Sequence, residues 1–190
     1  VPAGDDWLHE AKWDGYRLIA EIRRGRVRLW SRNEREWTSQ APEIVSALEA
    51  LDLDEAVLDG ELVAGAGRQE DFGLLQATLA GEKNATLSYV LFDILQVDSV
   101  DLAASPQYQR KALLAEILKS PPDRLVYSSH IVGRGDEALA MALERGLELD
   151  LDQTVTRTLN GSAYPAPGLF SKFFDRQMQP MLEVVRDTVG

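Results

Sequence analysis

The chain has 190 residues, of which 45% are hydrophobic and 27% charged, a composition that indicates one globular domain with a sizeable core. It has no cysteine and only two histidines, which excludes disulfides, thiolate catalysis and metal sites built from Cys or several His. The net charge of −11 argues against nonspecific nucleic-acid binding by the chain as a whole. There is no basic-then-apolar leader and no apolar run of ~20 residues, so we expect a cytoplasmic protein. A first residue other than Met suggests an excised fragment.

Hydrophobic periodicity predicts strands and helices in mixed order along the chain. Strands are predicted at 10–17, 16–33 (two, joined at Arg24-Gly25), 55–65, 86–97, 124–132 and 147–155. Helices are predicted at 41–53 with Ser39 as cap, 71–81, 105–120 with Ser105 at its start and Pro106 just inside, and 135–146 stopped by Gly146. We expect a loop at 159–168 and leave 169–185 open. The absence of a regular βαβ alternation favours an α+β fold with antiparallel sheets.

An arginine-rich segment contrasts with the acidic chain. Residues 17–35 contain seven arginines and two glutamates. A solvated strand face is the simplest interpretation of such a run. The alternative is a surface that faces phosphates on an otherwise acidic body.

Lys12 lies in the segment EAKWDGYR, between Glu10 and Asp14. An amine is a nucleophile when neutral, and an Asp followed by Gly15 adds a group that orients it and room for close approach. Taken alone, however, Lys12 is more simply an exposed lysine of an edge strand. No GxGxxG segment follows a strand and no GxxxxGK[ST] loop is present, so neither device would hold a nucleotide here.

Two further segments place acids among apolar residues. Asp59 and Glu61 flank Gly60 in a strand, so both carboxylates share one face and need a metal, a basic residue or a ligand hydroxyl as partner. A solvated face is an equally simple explanation. Phe92 and Asp93 lie in SYVLFDIL, where a core Phe and a hydrogen-bonded structural Asp are the plain interpretation.

These segments, in this order, resemble the adenylation domain of ATP-dependent DNA ligases, within the covalent nucleotidyltransferases and close to bacterial end-joining ligases. EAKWDGYR resembles the K-x-D-G nucleophile motif, and WSRN the Ser-Arg motif after a strand. VLDGELV resembles the D-G-E motif, YVLFDIL the strand with an aromatic and an acid, and EDFGLLQATL the helix between them. One K-x-D-G is a weak signal, but four ordered motifs over about 7–148 are a strong one. The resemblance implies a two-lobed, ATP-grasp-like α+β domain with antiparallel sheets around a nucleotide cleft.

The resemblance also implies roles for individual residues. Lys12 attacks the α-phosphate of ATP to form lysyl-AMP, and we expect burial and nearby arginines to favour its neutral form, with Asp14 orienting it. Glu10, with Ala11 beside it, faces the adenine amino group, and Phe92 stacks on adenine. The contacts to phosphates, sugar and metal (Mg²⁺ or Mn²⁺) fall to Arg17, Arg32, Glu61, Glu148 and Lys172. AMP then passes to a 5′-phosphate of nicked or broken double-stranded DNA, at the nucleoid and beside other end-joining modules, with no membrane involved.

The likeness weakens after Gly146. The family pattern is Leu-Glu-Gly, an apolar pair and then Lys-Arg, whereas this chain reads GLELDLDQTVTRT. Glu148 fits the acid, but Leu149 replaces the glycine and Asp150 interrupts the apolar pair. We expect one adenylation domain over 1–190 with 149–190 divergent and the OB-fold absent. An RNA ligase, a capping-type nucleotidyltransferase and a degraded nucleotide- or DNA-end-binding module remain alternatives, although an acid at position 10 favours adenine over guanine.

Overall fold

A computed structural model describes residues 4–68, 71–144 and 154–158. Within them the elements, in chain order, are β1 (Gly4–Ala11), β2 (Tyr16–Arg23), β3 (Arg26–Ser31), α1 (Pro42–Glu49), β4 (Glu55–Ala64), α2 (Phe72–Leu79), β5 (Leu87–Val97), β6 (Val100–Asp101), α3 (Gln107–Ile117), β7 (Leu125–Tyr127), β8 (His130–Gly133), α4 (Gly135–Glu144) and β9 (Thr154–Thr158). The described part of the chain is α+β, as predicted.

The larger sheet has six strands in the order β3-β2-β4-β5-β6, with β7 alongside β5. All its pairs are antiparallel except β5 with β7, so the sheet is mixed. Strands β2 and β3 form the predicted hairpin, in which Arg23 pairs with Arg26. The two loop residues Arg24 and Gly25 have φ of 52° and 70°. Positive φ at both positions gives the turn whose twist matches that of the flanking strands.

One face of this sheet packs against the helices. Alternate residues of β2 (Leu18, Ala20 and Ile22) are buried in a single core with apolar residues of α1, α2 and α3. We call this the helix-packed face. The other face carries Arg17 of β2 and Glu61 of β4, which are register partners, and we call it the site face. Strand β5 is buried on both faces, as its continuous apolar sequence predicts.

The smaller sheet has three strands in the order β8-β1-β9, all antiparallel. Strand β1 ends at Ala11, so the prediction of a strand through Lys12 was wrong. The predicted strand at 124–132 is two strands in different sheets, since the chain leaves β5 after Tyr127 and joins β1 at His130.

The helices are confirmed, but two cap predictions were wrong. Helix α1 begins at Pro42 behind Ala41, which places Ser39 outside the cap, because proline's fixed φ suits the first turn. Pro106 is the N-cap of α3 rather than an interior residue, and no side chain caps this helix. Gly81, with a φ of 76°, follows α2 as predicted. The predictions for Gly146, 159–168 and 169–185, and most of that for 147–155, lie outside the described residues. No helix in the described ranges is long and apolar enough to cross a membrane.

Candidate active site

Lys12 lies in the short connection between β1 and β2, not in a strand. Its side chain is exposed. No residue that the structure describes forms a hydrogen bond or ion pair with it, and this includes Asp14, the residue expected to orient it. The expectation that Lys12 is buried is therefore wrong. The amine is instead accessible to a ligand from solvent.

The loop around Lys12 is held by contacts to two other connections, one after β4 and one between β7 and β8. The amide N–H of Asp14 donates to the carbonyl of Gly67 at 3.1 Å. The indole Nε1 of Trp13 donates to Ser128 Oγ at 3.2 Å. The Trp13 ring also packs on Gly67, where an added Cβ would come within 2.7 Å of the ring. Lys12 is thus an exposed side chain on a fixed loop.

Gly15 completes this loop by close approach to β4. A Cβ at this position would lie 2.1 Å from the carbonyl oxygen of Leu62, far inside contact distance. Only glycine allows the loop to enter β2 against β4 in this way. The glycine of the K-x-D-G motif therefore has a packing reason that is visible in the structure.

Glu10 is buried, with 4% of its surface exposed, and its two carboxylate oxygens have different surroundings. Oε2 accepts a hydrogen bond from Lys111 Nζ at 2.8 Å. Oε1 is buried and has no hydrogen-bond partner among the described residues. A buried acceptor without a donor is costly unless a ligand supplies the donor. This makes Oε1 a candidate ligand contact two residues before Lys12.

Lys111 and Ser128 belong to this site, although the sequence reasoning missed both. Lys111 Nζ also donates to the carbonyl of Ser128 at 2.7 Å and lies 4.6 Å from the ring centroid of Tyr127. A weak signal exists in the sequence. Residues 107, 110, 111 and 114 share one face of α3 at helical spacing, and three of them are polar yet buried.

Arg17 is the basic partner that the acids of β4 were expected to need. Its Nε and Nη2 donate to the two carboxylate oxygens of Asp59 at 3.1 and 2.6 Å. Asp59 is fully buried, whereas the Arg17 side chain is 41% exposed. The Arg17 guanidinium lies 5.5 Å from the ring centroid of Phe92. Asp59 thus holds a partly exposed guanidinium on the site face.

Glu61, the register partner of Arg17, has an unusual carboxyl group. Its pKa is raised from 4.5 to about 7, mainly by burial, and the nearby charges of Asp59 and Asp14 contribute to the increase. The charge of Arg17 and a hydrogen bond from the backbone of Gly15 act in the opposite direction. A strongly shifted carboxyl group beside several charges is typical of a functional site.

Phe92 occupies a bulge in β5. Asp59 pairs with Asp93 and Gly60 with Leu91, so Phe92 is an extra residue between the two pairs. Bulges of this kind redirect side chains and are common next to active sites. The sequence did not show this irregularity.

Asp93 has a structural partner. Nε and Nη2 of Arg110 in α3 donate to its two carboxylate oxygens at 2.9 and 3.0 Å, and both side chains are fully buried. The plain interpretation of Asp93 as a hydrogen-bonded structural acid is supported by this geometry.

The remaining predicted site residues are less constrained. Arg32 is exposed in the turn Ser31–Glu34 and follows the pair Leu18–Ser31, so it lies at the end of the sheet where Arg17 is. Ala11 ends β1 beside Lys12. Glu148 and Lys172 lie outside the described residues.

The described residues offer few donors for the metal that the resemblance implies. Within the described ranges no group of three or more Asp, Glu or His side chains forms a metal site. Magnesium commonly binds one or two carboxylates together with substrate phosphates and water. Glu61, with Asp14 close enough to affect its charge, fits that smaller protein contribution.

Comparison with known proteins agrees with this geometry. Residues 2–166 match the family described as "ATP dependent DNA ligase domain". The Multifunctional non-homologous end joining protein LigD of Pseudomonas aeruginosa is 37% identical over 150 residues, which cover 77% of this chain and 18% of that protein. The SPbeta prophage-derived DNA ligase-like protein LigB of Bacillus subtilis is 32% identical over 147 residues, 76% of this chain and 53% of that protein.

Solved structures give the same result. A mycobacterial DNA ligase D complexed with ATP and MES superposes with a TM-score of 0.70 at 27% identity, covering 84% of this chain and 50% of that one. The ligase domain from M. tuberculosis LigD superposes with a TM-score of 0.71 at 27% identity and the same coverage. The chain spans about half the length of these structures and about a fifth of the Pseudomonas LigD. The expected nucleotidyltransferase fold is confirmed, and the chain belongs to the ATP-dependent DNA ligase domain family.

Proposed function

We propose that this domain reacts with ATP to form a covalent lysyl-AMP on Lys12 and passes the AMP to a DNA 5′-phosphate. The proposal rests on the proximity in sequence of two groups. Lys12 is exposed on a fixed loop, and two residues earlier Glu10 has a buried Oε1 with no hydrogen-bond partner among the described residues. A relative of the same fold is described as complexed with ATP. ATP would bring both a donor for Glu10 and an electrophile for Lys12.

Glu10 would read the base. An ionised carboxylate only accepts hydrogen bonds, and Oε2 already accepts one from Lys111. Oε1 therefore suits the exocyclic amino group of adenine and repels the carbonyl oxygen that guanine carries at that position. Phe92, and Ala11 beside Lys12, would contact the adenine from the site face and the end of β1. This geometry favours adenylation over a guanylyl transfer of the capping type.

Lys12 would then act as the nucleophile. Its Nζ gives up one proton to solvent and attacks the α-phosphorus, forming a P–N bond while the bond to pyrophosphate breaks, and a second proton leaves the nitrogen as the phosphoramidate forms. Arg17, held by Asp59, and Arg32 at the same end of the sheet would contact phosphates or ribose. Asp14 would contribute through the charge that it places beside Glu61. The late phosphate-binding lysine would be Lys172.

Glu61 would bind the ribose hydroxyls or a metal, together with Glu148. Bound Mg²⁺ or Mn²⁺ would neutralise charge on the triphosphate, as phosphoryl transfer generally requires. A carboxyl group with a pKa of about 7 is half ionised at neutral pH, so a cation or a hydroxyl donor in contact would favour its charged form.

The AMP acceptor would be the 5′-phosphate of nicked or broken duplex DNA, after which a 3′-hydroxyl displaces AMP and the strand is sealed. Relatives are described as non-homologous end joining proteins, which supports a role in DNA repair beside other end-joining modules at the nucleoid. Residues 1–190 would form one adenylation domain, with a sequence that diverges from the family over 149–190.

Intact-mass spectrometry tests the proposal. The protein is incubated with ATP and Mg²⁺, denatured and weighed, beside Lys12→Ala and the matched exposed-lysine control Lys83→Ala. We expect one AMP adduct on the wild type and on Lys83→Ala, and none on Lys12→Ala. An adduct that persists in Lys12→Ala would assign the nucleophile to another residue. The proposal would be refuted if the wild type formed no adduct and also failed to bind ATP.

A further inference from the structure

Four exposed arginines follow the edge of the larger sheet. Arg26 and Arg28 lie on strand β3, and Arg24 and Arg32 lie in the turns at its two ends. We call these four residues the arginine stripe. Strand β3 is the terminal strand of the sheet, and the described residues provide no ion pair or side-chain hydrogen bond to any of the four. The stripe is therefore a group of four arginines without a direct side-chain partner among the described residues, in a chain with net charge −11.

The stripe shares a face with the candidate active site. Arg26 pairs with Arg23 and Arg28 pairs with Glu21, and alternate residues along β2 lead from these two to Arg17. Because side chains alternate between faces along a strand, Arg26 and Arg28 project from the site face. The intervening residues Val27 and Leu29 are buried on the helix-packed face. At its other end the stripe reaches Arg32, beside Arg17.

Nearby acids do not cancel the stripe. Glu21, opposite Arg28, already accepts hydrogen bonds from Arg23 Nε at 2.5 Å and from Trp30 Nε1 at 3.2 Å. Glu55 is two strands away from β3, paired in register with Arg23. Beyond β3, the exposed Glu36 forms a bridge with Trp30, and its Oε1 accepts a hydrogen bond from Thr38 Oγ1 at 2.9 Å.

The backbone of β3 is less available than its side chains. The amide and carbonyl of Leu29 bond to Thr38 Oγ1 and to the amide of Trp37. Pairing of another β-strand with this edge is therefore blocked over part of its length. A partner would meet the guanidinium groups first.

We propose that the arginine stripe is a binding surface for the phosphate backbone of duplex DNA, and that it guides the DNA flanking a strand break onto the site face. The inference rests on the proposed function, since that activity brings DNA to this face. Arg26 and Arg28 are two residues apart on β3, a spacing of about 6.8 Å along the strand, which suits a linear polyanion with one charge per ~3.4 Å of each strand. Arginine also binds phosphate oxygens through two parallel hydrogen bonds.

The test is a salt titration of DNA binding with matched charge reversals. The probe is a fluorescein-labelled duplex with one nick that carries a 5′-phosphate and a 3′-dideoxy end, so no sealing occurs. Arg26→Glu/Arg28→Glu is compared with Lys83→Glu/Lys119→Glu, which changes the net charge equally. Lys83 and Lys119 are exposed after α2 and α3, helices that pack on the opposite face. Anisotropy gives Kd at several salt concentrations without ATP.

We expect the arginine reversal to weaken binding by on the order of tenfold or more and to reduce the salt slope by about 2, one phosphate contact per arginine. The lysine reversal should leave both quantities nearly unchanged. An equal loss of DNA affinity in both variants would overturn the inference, since only the total charge would then matter. Unchanged DNA affinity in both variants would overturn it too. The inference would also be overturned if the wild type bound no DNA at about 20 mM salt, where charges are only weakly screened.

Adduct formation separates this inference from the proposed function. Both double variants should form lysyl-AMP as the wild type does, because neither changes a residue of the nucleotide site. If the wild type forms no adduct, the proposed function fails whatever the DNA result. If only the arginine variant loses the adduct, the stripe acts in the nucleotide step and its assignment as a DNA surface is overturned.

Discussion

The ammonium of Lys111 donates a hydrogen bond to Glu10 Oε2 at 2.8 Å, although 101 positions separate the two residues in the chain. Both side chains are buried, with exposures of 0% and 3%. The pair fixes which carboxylate oxygen is left for a ligand. Helix α3, which carries none of the recognised motifs, thereby positions a residue next to the nucleophile.

Replacement of Lys111 by Met should destabilise the fold and weaken base selection. The unpaired, buried Glu10 would cost about 3–5 kcal/mol of unfolding free energy. In the Glu10→Gln background the same change should cost much less and alter ATP-over-GTP selectivity no further, because Lys111 acts through Glu10. Denaturant unfolding and adduct yields for the four proteins measure this. Equal, additive effects in both backgrounds would show that the pair is not coupled.

The pKa of Glu61 predicts a pH-dependent stability. The folded protein binds this proton more tightly than the unfolded chain, whose Glu pKa is 4.5. Stability contributed by the neutral carboxyl group is thus lost as pH rises from 4.5 to about 7. Glu61→Gln should exceed the wild type in unfolding free energy by on the order of 2 kcal/mol at pH 8 and by much less at pH 5.

Carbon NMR of the side-chain carboxyl groups measures the titration directly. One glutamate should titrate near pH 7, and its signal should be missing in Glu61→Gln. The exposed position 82 supplies the control, since Glu82→Gln should shift stability equally at both pH values. Titration of every described glutamate below pH 5.5, an ordinary range for the side chain, would contradict the prediction.

Gly15→Ala should disrupt the nucleophile loop. The new Cβ would meet backbone of Leu62 at 2.1 Å, so the loop rather than a flexible side chain must move. A displacement of about 1 Å is enough to lower the adduct-forming rate by ~100-fold. Gly73→Ala in α2 is the matched control, because nothing lies within 4 Å of its added Cβ. It should stabilise the protein by up to ~1 kcal/mol and leave the rate unchanged. A Gly15→Ala protein with wild-type rate would show that the loop is not fixed as described.

The Asp93–Arg110 pair should prove structural. Arg110→Met alone should cost about 3–5 kcal/mol, since it leaves a buried carboxylate unpaired. Asp93→Asn/Arg110→Met should recover part of that loss, because no buried ion remains without a partner. Thermal unfolding and adduct formation per folded molecule are measured together. If the folded double variant forms no adduct, Asp93 takes part in the chemistry.

The sequence by itself determined the elements and the candidates. Periodicity predicted the β2–β3 hairpin, the buried strand β5 and all four helices, because these depend on local alternation and helical spacing. The ordered motifs indicated Lys12, Glu61 and the ligase family, since the residues of each motif lie close together in the sequence. The strand predicted through Lys12 was wrong, since this segment is a loop between β1 and β2 in which the amide of Asp14 bonds to the carbonyl of Gly67.

Only the tertiary structure decided how these candidates work. Three features depend on residues that are distant in the chain. They are the hydrogen bond from Lys111 to Glu10, the two hydrogen bonds from Arg17 to Asp59, and the bulge of β5 at Phe92. The raised pKa of Glu61 depends on burial, which periodicity cannot measure. Long-range contacts of this kind are set by how strands pair and helices pack, so no local pattern of residues specifies them.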